Sequence, residues 1–443
     1  MADPRRVVIT GLGPISAFGA GMQPLWEALC EGRTGIAPIT AFDATGFRSC
    51  LAASVPAEKF DPRSVVPKSY RKAAKVMSRD IELAVGAAVA AIADAGLVTR
   101  GTDPDATPTI PPHRVGCHIG AGLIAADVDE LTVALAASVA AGGSFDIGRW
   151  GETGMQNLTP LWMLKYLPNM LACHVTIIHD CQGPSNTITC AEASSGLSIG
   201  ESMRVIERGD ADCCLSGGAE SKLNPMGLLR QEFAGRVAAA SADVDPATIV
   251  RPFADDAAGS VVGEGGGILV LEAESSAHAR GVRIHAEIAG FGAAHASAFD
   301  GAGMDLDPAG EEISAAIEAA LEDAGVPASQ VDAIAPYGSG IAAVDAVERA
   351  GLTRVFADRI ASIPLITTVP NVGNCAAGAG AIPLAVAAQC LTAQRLPARL
   401  NAGRVSGLDA GAAPSREAAL KTILAISIGM GGQVAAVLLR RAS

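Results

Sequence analysis

Cys190 and Glu192 stand two residues apart in QGPSNTITCAEASSGLSIGESMRVIERGDADCCLSGGAE, residues 182–220. A thiol placed there could attack a carbonyl and hold an acyl group as a thioester. A carboxylate could satisfy free backbone amides or move a proton. The outcome depends on which side chain the backbone presents. The stretch reads as a strand over 187–189, a tight turn of small residues and a helix to about residue 208. A buried strand over 213–216 follows, ending in Gly217-Gly218. Amides at such a helix start point at the turn and stabilise negative charge. Thiol reactivity requires that helix-end position. Cys190 lies earlier, at the end of the strand, and its use needs the elbow to shift by two residues.

A second group is CHVTIIHDC, with Cys173, His174, His179 and Cys181 close together. It lacks the C-x₂-C spacing of a zinc site. Buried free cysteines are common, so these residues are expected in the core and at a subunit interface, and no metal or other cofactor is expected.

The elements that must position the elbow follow in order. Residues 5–13 form a buried strand, and 22–31 a short helix carrying Trp26. Residues 37–67 are a polar surface excursion. Residues 78–95 are a long Ala-rich helix stopped by Gly96. Four prolines make 99–112 a loop, and 114–119 is a strand. An apolar helix spans 125–141, a Gly-rich loop 142–157, and a helical region 159–178 that Pro168 breaks. Beyond the elbow, 222–250 is irregular. GEGGGILVLE ends in a strand, a helix runs through residue 279, and 285–291 is a strand. Residues 300–310 form a loop with a Gly-Ala-Gly turn.

With 443 residues the chain can bury a large core or two domains. Aromatics are only 4% and glycines number 50, which lets helices and strands approach closely in a layered α/β protein. The net charge of −13 argues against nucleic acid or an anionic membrane as partner. Scattered cysteines and a start that runs straight into a strand suit a cytoplasmic protein. The uncharged run 422–439 has Gly429, Gly431 and Gly432 at its middle, so it reads as two buried strands rather than a membrane helix.

An internal repeat is visible. AAVAAIADAG, a loop and VGCHIGAG are similar to AAIEAALEDAG, a loop and VDAIAPYGSG. The elbow is likewise similar to TTVPNVGNCAAGAGAIPLAVAAQCL, residues 367–391. Two copies of one βαβα layout indicate a duplicated α/β fold. The halves are expected at 1–260 and 261–443.

The pieces RRVVITGLG, LWEALCEGRTGI, GDADCCLSGGAE, RPF, GEGGGILVLE and ISIGMGGQ come in an order that resembles the β-ketoacyl-acyl-carrier-protein synthases (ketosynthases). The resemblance covers nearly the whole chain. It implies the duplicated, five-layered α-β-α-β-α thiolase fold, with dimerisation through about residues 186–189. Counting from Gly183-Pro184-Ser185 and from Gly209-Asp210-Ala211-Asp212 puts the family's nucleophilic cysteine at Glu192. The two family histidines fall at Tyr337 and Asn374, the loop lysine at Val369, and the gate phenylalanine at Met430. Asp345 and Glu348 match positions that brace the site loops.

Those substitutions remove nucleophile, proton carrier and electrostatic clamp together. Asparagine cannot shuttle a proton near neutral pH. The chain is therefore not expected to condense acyl units itself. It resembles most the chain-length factor of type II polyketide systems, usually a glutamine-bearing homologue that pairs with a cysteine-bearing ketosynthase and shapes the acyl tunnel. The implied partners are that ketosynthase, in a heterodimer, and an acyl carrier protein docked mainly on it. By the same resemblance, Leu161, Trp162, Met163, Tyr166 and Met170 are candidates for tunnel or interface, with Met430 at the gate. Two other functions stay open: a malonyl-carrier decarboxylase or modified acyltransferase using Glu192 or Cys190, and a homodimeric acyl-binding scaffold.

Overall fold

The computed structural model describes residues 5–296 and 306–442. Small and β-branched side chains leave most of the chain's strands buried on both faces. In chain order they are β1 (Val7–Ser16), β2 (Val115–Gly120), β3 (Ser185–Ile188), β4 (Cys213–Ser221), β5 (Glu264–Ala273), β6 (Ala286–His295), β7 (Ala333–Ala335), β8 (Thr422–Ile428) and β9 (Gln433–Arg440). Five helices matter most: α1 (Arg79–Asp94), α2 (Ser194–Glu207), α3 (Glu311–Ala324), α4 (Ala342–Phe356) and α5 (Ala381–Ala393).

The strands follow the order β7-β8-β9-β6-β1-β5-β4-β2-β3. The duplication is written in this order. In the first sheet, which takes in β5 from beyond residue 260, β3 and β4 flank β2 in parallel, and β5 and β1 continue antiparallel. In the second half Leu365 bridges β7 in parallel, β7 pairs with β8 in parallel, and β9 and β6 continue antiparallel. The two sheets meet through β1 and β6, where only Val7, Val8 and Ile9 find partners.

Helices complete five layers. α1 lies outside on β1, β5 and β4, and α3 lies outside on β6 and β9, with α4 against it. Between the sheets run α2 and α5, each in contact with strands of both halves. α5 carries no charge and is almost wholly buried, as a helix covered on both sides must be. Glycines permit the close approach. A Cβ at Gly13 would lie 2.1 Å from the Ala87 carbonyl oxygen of α1, and one at Gly292 would lie 2.1 Å from the Ala316 carbonyl oxygen of α3. The fold is the thiolase-like ketosynthase fold expected from the sequence. The run 422–439 is indeed two strands joined by a turn. One other segment, 376–393, is apolar and long enough to cross a membrane, but 78% of it is buried within the protein.

Several local expectations are corrected. The strand before the elbow is Ser185–Ile188, not 187–189. β4 runs on through Gly217-Gly218 to Ser221, because those glycines serve close packing: a Cβ at Gly217 would sit 2.0 Å from the Gly267 carbonyl oxygen. The stretch 222–250 is not wholly irregular. Helix Pro225–Phe233 starts there, capped by the Asn224 side chain on the Gly227 amide, with proline in its first turn. The Gly-rich loop 142–157 contains short helical turns, the first (Ile147–Arg149) capped by Asp146. The helix expected at 125–141 is shorter, Val128–Ala137. The region 159–178 does break at Pro168 as expected, into a turn at Trp162–Lys165 and a helix at Met170–His179. The Gly-Ala-Gly turn at 301–303 lies outside the described residues.

Candidate active site

After β3 the backbone turns sharply. Ala191 takes φ 47°, a left-handed conformation unusual for a residue with a Cβ. The Ser194 hydroxyl locks the turn by accepting from the Cys190 amide at 2.8 Å and donating to the Ala191 carbonyl at 2.6 Å. A single 3-10 turn, Ala191–Ala193, then leads into α2. This geometry directs Glu192 inward, where it is 3% exposed.

The Glu192 carboxylate is fully engaged. Oε1 pairs with the Arg236 guanidinium and is 3.4 Å from Asn374 Nδ2. Oε2 accepts the Met430 amide at 3.2 Å. Tyr337 Oη accepts from Arg236 Nη2 and from Asn374 Nδ2, each at 2.9 Å. The Ala376 amide donates to Asn374 Oδ1 at 2.9 Å, which turns the Asn374 nitrogen toward Tyr337 and Glu192. Burial, then the neighbouring Glu192 charge, pushes the Tyr337 pKa well up. Burial works to lower the Arg236 pKa, but the charge of Glu192 and the contact with Tyr337 hold it above its ordinary value. The result is a buried ion pair with added hydrogen bonds, the arrangement such pairs need to be stable.

The turn carrying Tyr337 is held from beneath. Glu348 accepts the Tyr337 and Gly338 amides at 2.8 and 2.9 Å. Asp345 accepts the Phe253, Ser339 and Gly340 amides and the Ser339 hydroxyl. Burial pushes Glu348 up to about 8 and Asp345 up to about 6. Val369, at the family's lysine position, is buried.

Beside Glu192 lies a cavity of about 310 Å³, lined also by Leu123, Glu220, Lys222 and Met430. This is at the lower end of the range for small-molecule sites. Lys222 pairs with Glu220, whose other oxygen accepts the Ala377 amide at 2.8 Å. Burial raises the Glu220 pKa, with Lys222 opposing.

The structure thus brings Glu192, Tyr337, Asn374 and Met430 together. Cys190 is not part of the cavity wall, and burial pushes its thiol pKa up, the opposite of what a nucleophile requires. Leu161, Trp162, Met163, Tyr166 and Met170 also stay off that wall. Leu161 and Met163 are more than 60% exposed. The Trp162 and Tyr166 rings lie 5.0 Å apart with their planes tilted by 51°, and Tyr166 donates to Glu130 at 2.7 Å. In CHVTIIHDC the polar groups are parcelled out: His174 meets Tyr70 and His179 meets Thr99, each at 2.9 Å. Burial lowers both histidine pKa values, that of His179 to about 4. Among the described residues no three potential metal ligands converge. Sequence reasoning missed Arg236. The one available signal was electrostatic, since a carboxylate buried at an elbow demands a cation.

Two family models match the chain: the beta-ketoacyl synthase N-terminal domain over residues 4–277 and its C-terminal domain over 285–403. A relative from Streptomyces coelicolor, described as actinorhodin polyketide putative beta-ketoacyl synthase 1, is 32% identical, covering 99% of this chain and 89% of its own. 3-oxoacyl-(acyl-carrier-protein) synthase 2 of Vibrio harveyi is 30% identical, covering 97% and 96%. The solved ishigamide ketosynthase/chain length factor superposes with a TM-score of 0.82 at 28% identity, covering 99% of this chain and 100% of that one.

Proposed function

The chain belongs to the β-ketoacyl synthase family, and from that premise we propose that it is a non-condensing, chain-length-determining subunit. It pairs in the cytoplasm with a cysteine-bearing ketosynthase in polyketide or fatty-acyl synthesis. One observation carries this reading: the elbow holds a carboxylate whose oxygens are already taken by Arg236, Asn374 and the Met430 amide. Such a group forms no transferable thioester, and neither Tyr337 nor Asn374 replaces a proton-shuttling imidazole. In this reading residues 1–260 supply Glu192 and Arg236, and residues 261–443 supply Tyr337, Asn374 and Met430.

Two surfaces support the pairing. β3 is an edge strand with Ser185 and Asn186 exposed, and open edges invite another strand. Among the described residues, ten of the thirteen exposed large apolar side chains lie between residues 123 and 163, more than a monomer's surface ordinarily shows in one segment. An acidic carrier would also find cations here: Lys59, Arg63, Lys68, Arg71, Lys72 and Lys75 are all exposed, on a chain of net charge −13.

The test is co-expression with a cysteine-bearing homologue, native mass measurement and product analysis. A heterodimer whose product length depends on this chain is the expected result. Condensation of acyl and malonyl carrier thioesters by this chain alone would defeat the proposal, and a stable homodimer that ignores the homologue would favour a scaffold. Carbon dioxide release from malonyl carrier, abolished by Glu192→Gln or Cys190→Ala, would favour a decarboxylase.

A further inference from the structure

Lys222 stands between two spaces. The cavity beside Glu192 adjoins a second one of about 10 Å³, room for roughly one water. Arg236, Val237, Ser260, Val261, Val262 and Asn374 line that smaller space, and Lys222, Gln231 and Ala376 line both. The lysine side chain is only 10% exposed. Its ammonium bridges the Glu220 carboxylate and the Leu123 carbonyl, the latter at 2.7 Å. Pinned at its tip, the hydrocarbon stem forms a partition.

The cavity's free surface suits an uncharged chain. Leu123, Ala191, Ala376 and Met430 supply apolar wall, while Glu192 and Glu220 already have cationic partners. Arg230, the other charged group on the wall, is exposed and so marks the solvent side, whereas a charge at the end beside the buried Lys222 would be desolvated without compensation. We propose that Lys222 sets the length of linear acyl chain that this cavity accepts, acting as its end wall. This inference rests on the reading of the chain as a subunit that shapes acyl chains.

The wall can be lowered without stranding a charge. Lys222→Ala alone would leave Glu220 buried and unpaired, so it is combined with Glu220→Gln, which keeps an acceptor for the Ala377 amide. Lys222→Met with Glu220→Gln is the control, since it keeps the stem and removes only the ammonium bridge. Gln231→Ala lowers the same wall without touching a charge and serves if the double variants fold poorly. Calorimetric titration of the chain with alkanoyl-pantetheine thioesters of increasing length reads the cut-off directly. The cut-off is expected to move up by at least one two-carbon unit in Lys222→Ala/Glu220→Gln and in Gln231→Ala, and to stay in place in the methionine control. An unchanged cut-off in folded wall-lowering variants, equal shifts in both double variants, or no binding by wild type would each overturn the proposal. If adding this chain leaves a ketosynthase partner's products unchanged, the subunit function falls, while the cut-off measured on the chain alone still decides the role of Lys222.

Discussion

At Ala191 and at Ala376 the backbone enters the left-handed region at the same φ, 47°. Each alanine follows a cysteine, opens a 3-10 turn (Ala191–Ala193 and Ala376–Gly378) and leads into a buried middle-layer helix. Where the first turn presents Glu192, the second presents Ala377. The first turn gathers partners for its carboxylate from three other segments. The second gives its amides away, to Asn374 Oδ1 and to Glu220 Oε2. The backbone device is therefore generic, and one side chain with its counter-charge decides what an elbow does. Duplication also placed the copies in contact, so that the second elbow helps complete the site of the first.

Making the second elbow like the first should do the most damage. Ala377→Glu buries a carboxylate beside Glu220 with no cation of its own, and a loss of about 4–5 kcal/mol, or failure to fold, is expected. Soluble yield and the urea midpoint measure it. A fully stable Ala377→Glu would break the contrast between the turns.

Making the first elbow like the second comes next. Arg236→Met should cost about 3–5 kcal/mol, because Glu192 stays buried and loses its cation. Arg236→Met with Glu192→Gln should recover most of that loss, since removing both charges of a buried pair is far less costly than removing one. A double-mutant cycle by urea denaturation gives the coupling.

The carboxylates under the Tyr337 turn predict a pH effect. The folded-state values of about 8 for Glu348 and about 6 for Asp345 lie above the ordinary carboxylate range. The folded protein then keeps protons that the unfolded chain has released, so stability falls as pH rises from about 4 toward about 8. Glu348→Gln should remove up to about 3 kcal/mol of the decline between about pH 5 and about pH 7.5. Denaturation curves across that window test the slope, and a rising slope in wild type would contradict the burial argument.

The smallest effect is the sharpest test of likeness. Ala191→Gly and Ala376→Gly each relieve a left-handed alanine at some entropic cost, so a gain of up to about 1 kcal/mol is expected, equal at both sites. Unequal gains would show that the two turns differ in more than their side chains.

Much of this was legible in the sequence because buried strands and Gly-bearing junctions leave local marks. GEGGGILVLE must be a strand that lets others approach, and counting from two sides placed Glu192 at the turn. Arg236 left no such mark. It follows the short helix begun by Asn224-Pro225, and its bond to Glu192 spans 44 positions. Periodicity also cannot tell a cavity wall from an outer face. The spacing of Leu161 and Met163 suited either, and the backbone sends both outward. The turns within 142–157 are too short to build a period.

The Met430 amide has a temporal meaning as well as a chemical one. It reaches Glu192 from 238 positions further along the chain, and Tyr337 and Asn374 also lie in the later half. While the polypeptide is being made, the first half emerges with a carboxylate for which only Arg236 is yet available. Nascent chains fold from the N-terminal end, so this pocket can close only once residue 430 has been made, and a chain cut short before it would leave Glu192 without that amide.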